Sequence, residues 1–315
     1  MSITMTGGMT FSGAFTVTLP PPNIRGIFIF GYNGVAQPVT NIVSNTGVVA
    51  SDTSYAYSIG KFRHAAAGYG GDKAISGYGN DNTTVRTSIS NLISNTGVVA
   101  NNTTGVGTAR WGLAAATYGT DKAIFGYGNN NNPLSMTNLV SNAGVVATDT
   151  SGVGTARYFP AAAGYGSSGQ AIFGYGQTTI SLSMTNLVSN AGVVASDTTG
   201  VGTARYYLAA AGYGTDKAIF GYGARFPSFI VYSMTNLVSN TGVVAADTTG
   251  VGTARCGIGA AKYGSDTAIF GYGSTDGGPT YLSMTNLVSN TGVVATDTTG
   301  VGTARNEPAG ANFGS

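Results

Sequence analysis

The sequence predicts an all-β chain built from six copies of one four-stranded unit. Three observations predict it. The phrase Ser-Asn-Thr-Gly-Val-Val-Ala, or a near copy, recurs at residues 44–50, 94–100, 141–147, 189–195, 239–245 and 289–295. A second phrase, Ala-Ala-Ala-Gly-Tyr-Gly followed by Ala-Ile-Phe-Gly-Tyr-Gly, alternates with it. No window places apolar residues at helical spacing over three turns, and abundant Gly, Thr, Ser and Asn disfavour helix.

One arginine per repeat marks the period: Arg63, Arg110, Arg157, Arg205, Arg255 and Arg305 follow at steps of 47, 47, 48, 50 and 50. In the repeat over 204–255, residues 208–214 (LAAAGYG) form a short apolar run ending in glycine. Thr215, Asp216 and Lys217 make a turn, and 218–223 (AIFGYG) form a second run with aromatic and β-branched residues. An irregular loop over 224–231 precedes a third run, 234–238 (MTNLV). Residues 239–242 (SNTG) are a turn by composition, and 243–247 are a fourth run. Short runs bounded by Gly, Asn, Asp and Ser clusters read as strands.

Four strands per unit of this length read as a β-propeller blade. A lone blade cannot bury both faces, whereas stacking around an axis does so and leaves only short edges. Small residues suit the crowded inner strand, so AAAGYG belongs there. The AIFGYG strand supplies bulk between blades through Ile219, Phe220, Tyr222 and their equivalents, such as Ile124, Phe125 and Tyr127. The first repeat begins at its second strand, 26–34 (GIFIFGYNG), and the chain ends one strand into a seventh unit, 304–314 (ARNEPAGANFG). The expected fold is therefore a six-bladed β-propeller over 25–315, closed by pairing of N- and C-terminal strands. Residues 11–19 are the other segment able to supply the missing strand.

With the blades placed, the chain resembles Kelch-type repeats over 25–315. It has a glycine pair after an apolar strand, split here as Gly126-Tyr127-Gly128 and Gly221-Tyr222-Gly223, a polar turn, and an arginine before the next blade. The spaced Tyr and Trp of that family are replaced by Asn-Leu-Val-Ser-Asn-Thr-Gly-Val-Val. The repeats of the chromosome-condensation regulator are of similar length, but their Gly-Gln-Leu-Gly signature is missing. Residues 1–24 fit no blade. Phe11, Phe15, Val17 and Leu19 stand among Thr, Ser and Gly, and Pro20, Pro21 and Pro22 stiffen the chain into a spacer. This leader resembles the attachment segments of bacteriophage tail and fibre proteins, which implies that it anchors the chain to a neighbouring subunit.

Only 8% of the 315 residues are charged, against roughly a quarter in ordinary soluble domains. Such a surface fits a protein packed in an assembly, and equally a β-repeat protein with Gly-rich turns. Fourteen basic and 12 acidic residues give net +2, too little for a nucleic-acid stripe. No signal peptide or membrane-length apolar run is visible. Cys256 is alone and His64 is the sole histidine, so no metal site and no histidine-based triad is expected, and no cofactor. His64 is aligned with Trp111, Tyr158, Tyr206, Cys256 and Asn306, a variable position. No GxxxxGK[ST] phosphate loop occurs.

Acids and arginines recur together. Asp149 and Arg157, Asp197 and Arg205, Asp247 and Arg255, and Asp297 and Arg305 all stand 8 residues apart, while Asp52 to Arg63 is 11 and Asn102 replaces the acid once. Recurrence at one blade position is what a structural bridge between blades looks like, and that is the expected role rather than a ligand-binding ring.

Variation among the six repeats falls in two places: the second-to-third loop and the residue after each arginine. Both lie on one side of an up-and-down blade. That side gathers Trp111, Tyr158, Phe159, Tyr206, Tyr207, Arg225, Phe226, Phe229, Tyr232 and Tyr281, residue types that carry binding energy at interfaces. Phe226, Phe229 and Ile230 together are unusual for a free monomer's surface. The function expected is a non-enzymatic virion structural protein, of phage tail, fibre or capsid-decoration type. Its propeller would bind a host-surface glycan or protein, and its leader other virion proteins. A cytoplasmic Kelch-like scaffold and a lectin-like propeller are the alternatives.

Overall fold

A computed structural model describes residues 23–55 and 60–314, and among them the chain is all-β with no helix. Six small antiparallel sheets follow one another. The first has Arg25–Ile29 between Ala309–Phe313 and Val39–Val43, with Thr53–Ser54 outermost. The others run inner, middle, outer. These are Ala65–Tyr69, Lys73–Gly77 and Ser90–Ile93, then Ala114–Tyr118, Lys122–Asn129 and Pro133–Val140. Next come Ala161–Tyr165, Gln170–Gly174 and Thr185–Val188, then Ala209–Tyr213, Lys217–Gly221 and Thr235–Val238. The sixth is Gly259–Tyr263, Thr267–Gly271 and Thr285–Val288, and a ribbon, Ala224–Arg225 with Ile230–Val231, stands apart.

The expected fourth strand is a strand only at Thr53–Ser54. Elsewhere it is reduced to isolated bridges such as Val140 with Val146 and Thr137 with Thr150. A side chain holds this segment in every repeat, with or without a fourth strand. Asn138 Nδ2 donates to the Ala147 carbonyl at 3.0 Å and to Asp149 Oδ1 at 2.9 Å, so an amide clamps the segment beside a few backbone bonds such as Ala147 N–H to Leu139 O. Asn41, Asn186, Asn236 and Asn286 make the same clamp, and Asn91 makes it to Ala100 and Asn102.

Each inner strand packs against two others. Ala65–Tyr69 meets Ala114–Tyr118, and the sequence continues through Ala161–Tyr165, Ala209–Tyr213, Gly259–Tyr263 and Ala309–Phe313, which packs back on Ala65–Tyr69. The approach is close enough that a Cβ on Gly310 would collide with the Ala260 carbonyl, hence the small residues. Between sheets, a phenylalanine lies over a glycine. The Phe125 ring covers Gly77, Phe173 covers Gly126, Phe220 covers Gly174, Phe270 covers Gly221, and Phe28 covers Gly271. The middle-strand Ile, Phe and Tyr side chains predicted to fill these joints are fully buried.

First turns interlock. Gly70 N–H donates to Asp121 O at 2.7 Å, Gly119 to Gly169 O, Gly166 to Asp216 O, Gly214 to Asp266 O, Gly264 to Ile24 O, and Gly314 to Asp72 O. Here Ile24 takes the place that an Asp or Gly takes in other turns, so residues 23–25 lie on this turn face. The leader residues Phe11, Phe15, Val17 and Leu19 lie outside the described residues.

Candidate functional site

Joints between sheets are built on one buried arginine each. Arg110 has no exposed surface. Its Nε donates to Tyr127 O at 2.9 Å, Nη1 to Thr108 O at 3.1 Å and Nη2 to Asn138 Oδ1 at 2.6 Å. Its guanidinium lies 4.3 Å from the Tyr78 ring of the preceding sheet, a cation–π contact. Asp149 then accepts from Thr108 N–H and Oγ1 and from Asn138. Against the cost of partial burial, those bonds and the Arg110 charge hold the Asp149 carboxyl below its ordinary value.

This corrects the expected acid–base pairs. Asp149 does not bridge Arg157, nor Asp197 Arg205, nor Asp247 Arg255, nor Asp297 Arg305. Each acid faces the arginine one repeat earlier: Arg110 with Asp149, Arg157 with Asp197, Arg255 with Asp297 and Arg305 with Asp52, at 3.7 to 4.0 Å. Arg205 and Asp247 share Asn236. The reason is the strand path. The segment from acid to arginine crosses between sheets, so an interval of 8 residues separates neighbours instead of joining them.

Arg63 is not the arginine of the first of these joints. Phe62 bridges Asn80 as Trp111 bridges Asn129 and Tyr158 bridges Gln177, which puts Lys61 at the arginine position. His64 is then equivalent to Leu113, Pro160, Leu208, Ile258 and Pro308, core positions, and not to Trp111. The residue is 6% exposed. Anchoring the repeats on the Ala-Ala-Ala phrase instead of on arginine gives this register directly.

Arg63 instead begins a ring of equivalent residues: Arg63, Gly112, Phe159, Tyr207, Gly257 and Glu307, all with φ between 54° and 63°. Gly112 N–H donates to Arg63 O, Phe159 to Gly112 O, Gly257 to Tyr207 O and Glu307 to Gly257 O. Arg63 Nε meets Glu307 Oε1 at 3.2 Å, and the Phe159 and Tyr207 rings stack at 3.6 Å. These side chains, with His64 and its apolar equivalents, line a small cavity of ≈ 80 Å³. At the other end, the inner strands line a cavity of ≈ 370 Å³ walled by Ala and Gly, with Thr117, Lys262 and Asn312 among the lining residues.

The loop face divides the predicted binding residues. Phe159 and Tyr206 are buried, packed with Ala224 and Cys256, and act in the core of that face rather than as free contacts. Their backbones hold them there, Tyr206 bridging Ala224 and Phe159 in the positive-φ ring. Trp111, Tyr158 and Tyr207 are half-buried around them, with Trp111 and Tyr158 edge to face at 5.4 Å. Arg63 lies 5.0 Å from the Trp111 ring. Arg225 is exposed, and Phe226, Phe229 and Ile230 are 40%, 38% and 48% exposed. Their ribbon reaches both neighbours: Phe226 N–H donates to Ser181 Oγ at 2.8 Å, and the Phe229 ring crowds Gly277. Tyr232 and Tyr281 are half-buried.

Among the described residues, no three His, Cys, Asp or Glu side chains gather to hold a metal ion. No helix there is long and apolar enough to cross a membrane. No family model matches the chain, and the search of curated proteins finds no relative.

Proposed function

We propose that this chain is a six-bladed, Kelch-like β-propeller that serves as a non-enzymatic recognition module of a virion, of phage tail, fibre or capsid-decoration type. Residues 1–24 attach it to a neighbouring virion protein, and the loop face meets a host-surface protein or glycan. The circuit of six inner strands and the pairing of Ala309–Phe313 with Arg25–Ile29 support the closed ring. The observation that carries the functional reading is the opposition of two faces. Residues 23–25 join the turn face, whose turns change little among the repeats. The divergent loops, with their half-exposed aromatic residues, lie at the other end of the strands.

A lectin-like role for the same face is favoured by Trp111 and Tyr158, which present partly exposed rings beside the uncharged loops 129–134 and 177–182. Deleting 1–24 separates attachment from recognition. The truncated chain keeps the propeller and binds host cells or glycans, but no longer enters particles. Trp111→Ala with Phe226→Ser does the reverse. Particle incorporation unchanged by the deletion overturns the virion reading, and host binding unchanged by the loop variant overturns the recognition face.

A further inference from the structure

The joint between the first and second sheets keeps Asn91 but departs from the other five at five further positions that tie two sheets together. Where the others have Gly under Phe, this joint has Ile29 facing Ser76. Tyr becomes Phe30, Arg becomes Lys61, and the Asp becomes Asn102. The large-for-small exchange is nearly reciprocal in volume: these swaps remove about four side-chain heavy atoms, and His64, standing where the other joints have Leu, Ile or Pro, returns two or three.

The same joint concentrates polar atoms with nothing to bind. Thr40 Oγ1, Lys61 Nζ, both His64 ring nitrogens, Ser76 Oγ and Asn91 Oδ1 are buried without a hydrogen-bond partner. Thr40 stands opposite Ile29 in the first sheet, and Ser76 opposite Asn91 in the second. Lys61 Nζ lies 5.8 Å from the Phe30 ring centre, and the His64 ring 5.7 Å from it. At the other joints, the buried guanidinium has an Asp across the joint, and the Asn Oδ1 accepts from it. Here the shorter Lys61 leaves Asn91 Oδ1 free, and Asn102 brings no charge. The other charged or titratable group facing His64 is Arg305, already bound to Asn41 and beside Asp52. A buried cation without a counter-charge is costly, and an anion beside it offsets that cost.

We propose that this joint binds a small monovalent anion of halide size, held by the Lys61 ammonium with the Ser76 and Thr40 hydroxyls donating to it. The anion supplies the negative charge that an aspartate supplies at the other joints. The test is the full chain crystallised in sodium bromide and measured at the bromine absorption edge, beside thermal unfolding in sodium bromide and in sodium gluconate at equal ionic strength. The expected result is an anomalous peak between Lys61 and Ser76, and a melting temperature several degrees higher in bromide. Lys61→Arg with Asn102→Asp rebuilds the common joint and loses both the peak and the bromide response while melting no lower than the native chain. Lys61→Met loses them too. A joint that shows only water, or a bromide response that persists in Lys61→Arg/Asn102→Asp, overturns the proposal.

Discussion

Arg305 and Asp52 come from opposite ends of the chain and stand 4.0 Å apart in the fold. Arg305 is fully buried and donates to Phe30 O, Thr303 O and Asn41 Oδ1, while Asp52 accepts from Thr303 N–H and Oγ1. Replacing Arg305 with Met keeps the stem but strands Asn41 and the Phe30 carbonyl in a dry joint. A loss of about 3–5 kcal/mol is expected, as for breaking other buried charged networks. Asp52→Asn, at a partly exposed carboxyl, is expected to cost about 1 kcal/mol. Urea unfolding followed by tryptophan fluorescence measures both, and equal costs would refute the ranking.

Ile29 and Ser76 form a size-exchanged pair. Ser76→Phe alone drives a ring into Ile29 and is expected to cost about 1–3 kcal/mol. Ile29→Gly added to it recreates the Gly-under-Phe fit and recovers most of that loss. The two changes are thus non-additive by at least about 1 kcal/mol in a double-mutant cycle. Additivity would mean that the two side chains do not share a space.

Tyr222 illustrates how little of each joint depends on the phenol. Its hydroxyl donates to Val251 O at 3.2 Å, and its ring receives Arg255 at 4.4 Å. Tyr222→Phe is expected to cost about 1 kcal/mol and Tyr222→Ala about 3–5 kcal/mol, read from the shift of the denaturation midpoint. Phe30 already occupies the equivalent place in the first sheet.

Stability should depend on pH through the first joint. Burial pushes Lys61 down to about 7 from 10.5, and burial followed by the Lys61 charge pushes His64 down to about 3 from 6.5. For a base lowered by folding, the unfolded chain holds more protons between the two values, so stability rises with pH across that window. In halide-free buffer, melting temperature should rise from pH 7 to pH 10 through Lys61. It should fall as pH drops from 6.5 towards 3 through His64. Lys61→Met should flatten the upper slope and weaken the lower one, since burial then remains as the main cause that holds His64 down. Bromide should also flatten the upper slope, because an anion favours the charged lysine.

The strand order was legible because small residues and aromatic residues recur in fixed phrases, and the phrases fall on the inner and middle strands. The missing fourth strand was not legible. Nothing in Val-Val-Ala-Thr-Asp-Thr tells that Asn138, several residues upstream, takes its carbonyl with a side-chain amide. The ion pairs misled for a related reason. Regular spacing identifies equivalent residues, but which of two neighbouring copies an acid faces depends on the path between sheets. The register of the first repeat was lost because Lys61 had replaced the expected arginine while another arginine stood two residues on. Of the loop-face residues, their side of the fold was readable, but the burial of Phe159 and Tyr206 depends on each other's rings and on Cys256.

The placement of Arg25–Ile29 bears on how the chain takes a mechanical load. It is the middle strand of its sheet, bonded on one side to Ala309–Phe313 and on the other to Val39–Val43. A pull on the residues before it runs along the strand and loads both ladders in shear, with many hydrogen bonds sharing the force at once. An edge strand pulled away from a single neighbour would peel, one bond at a time. A tether leading into Arg25 is therefore gripped from both sides.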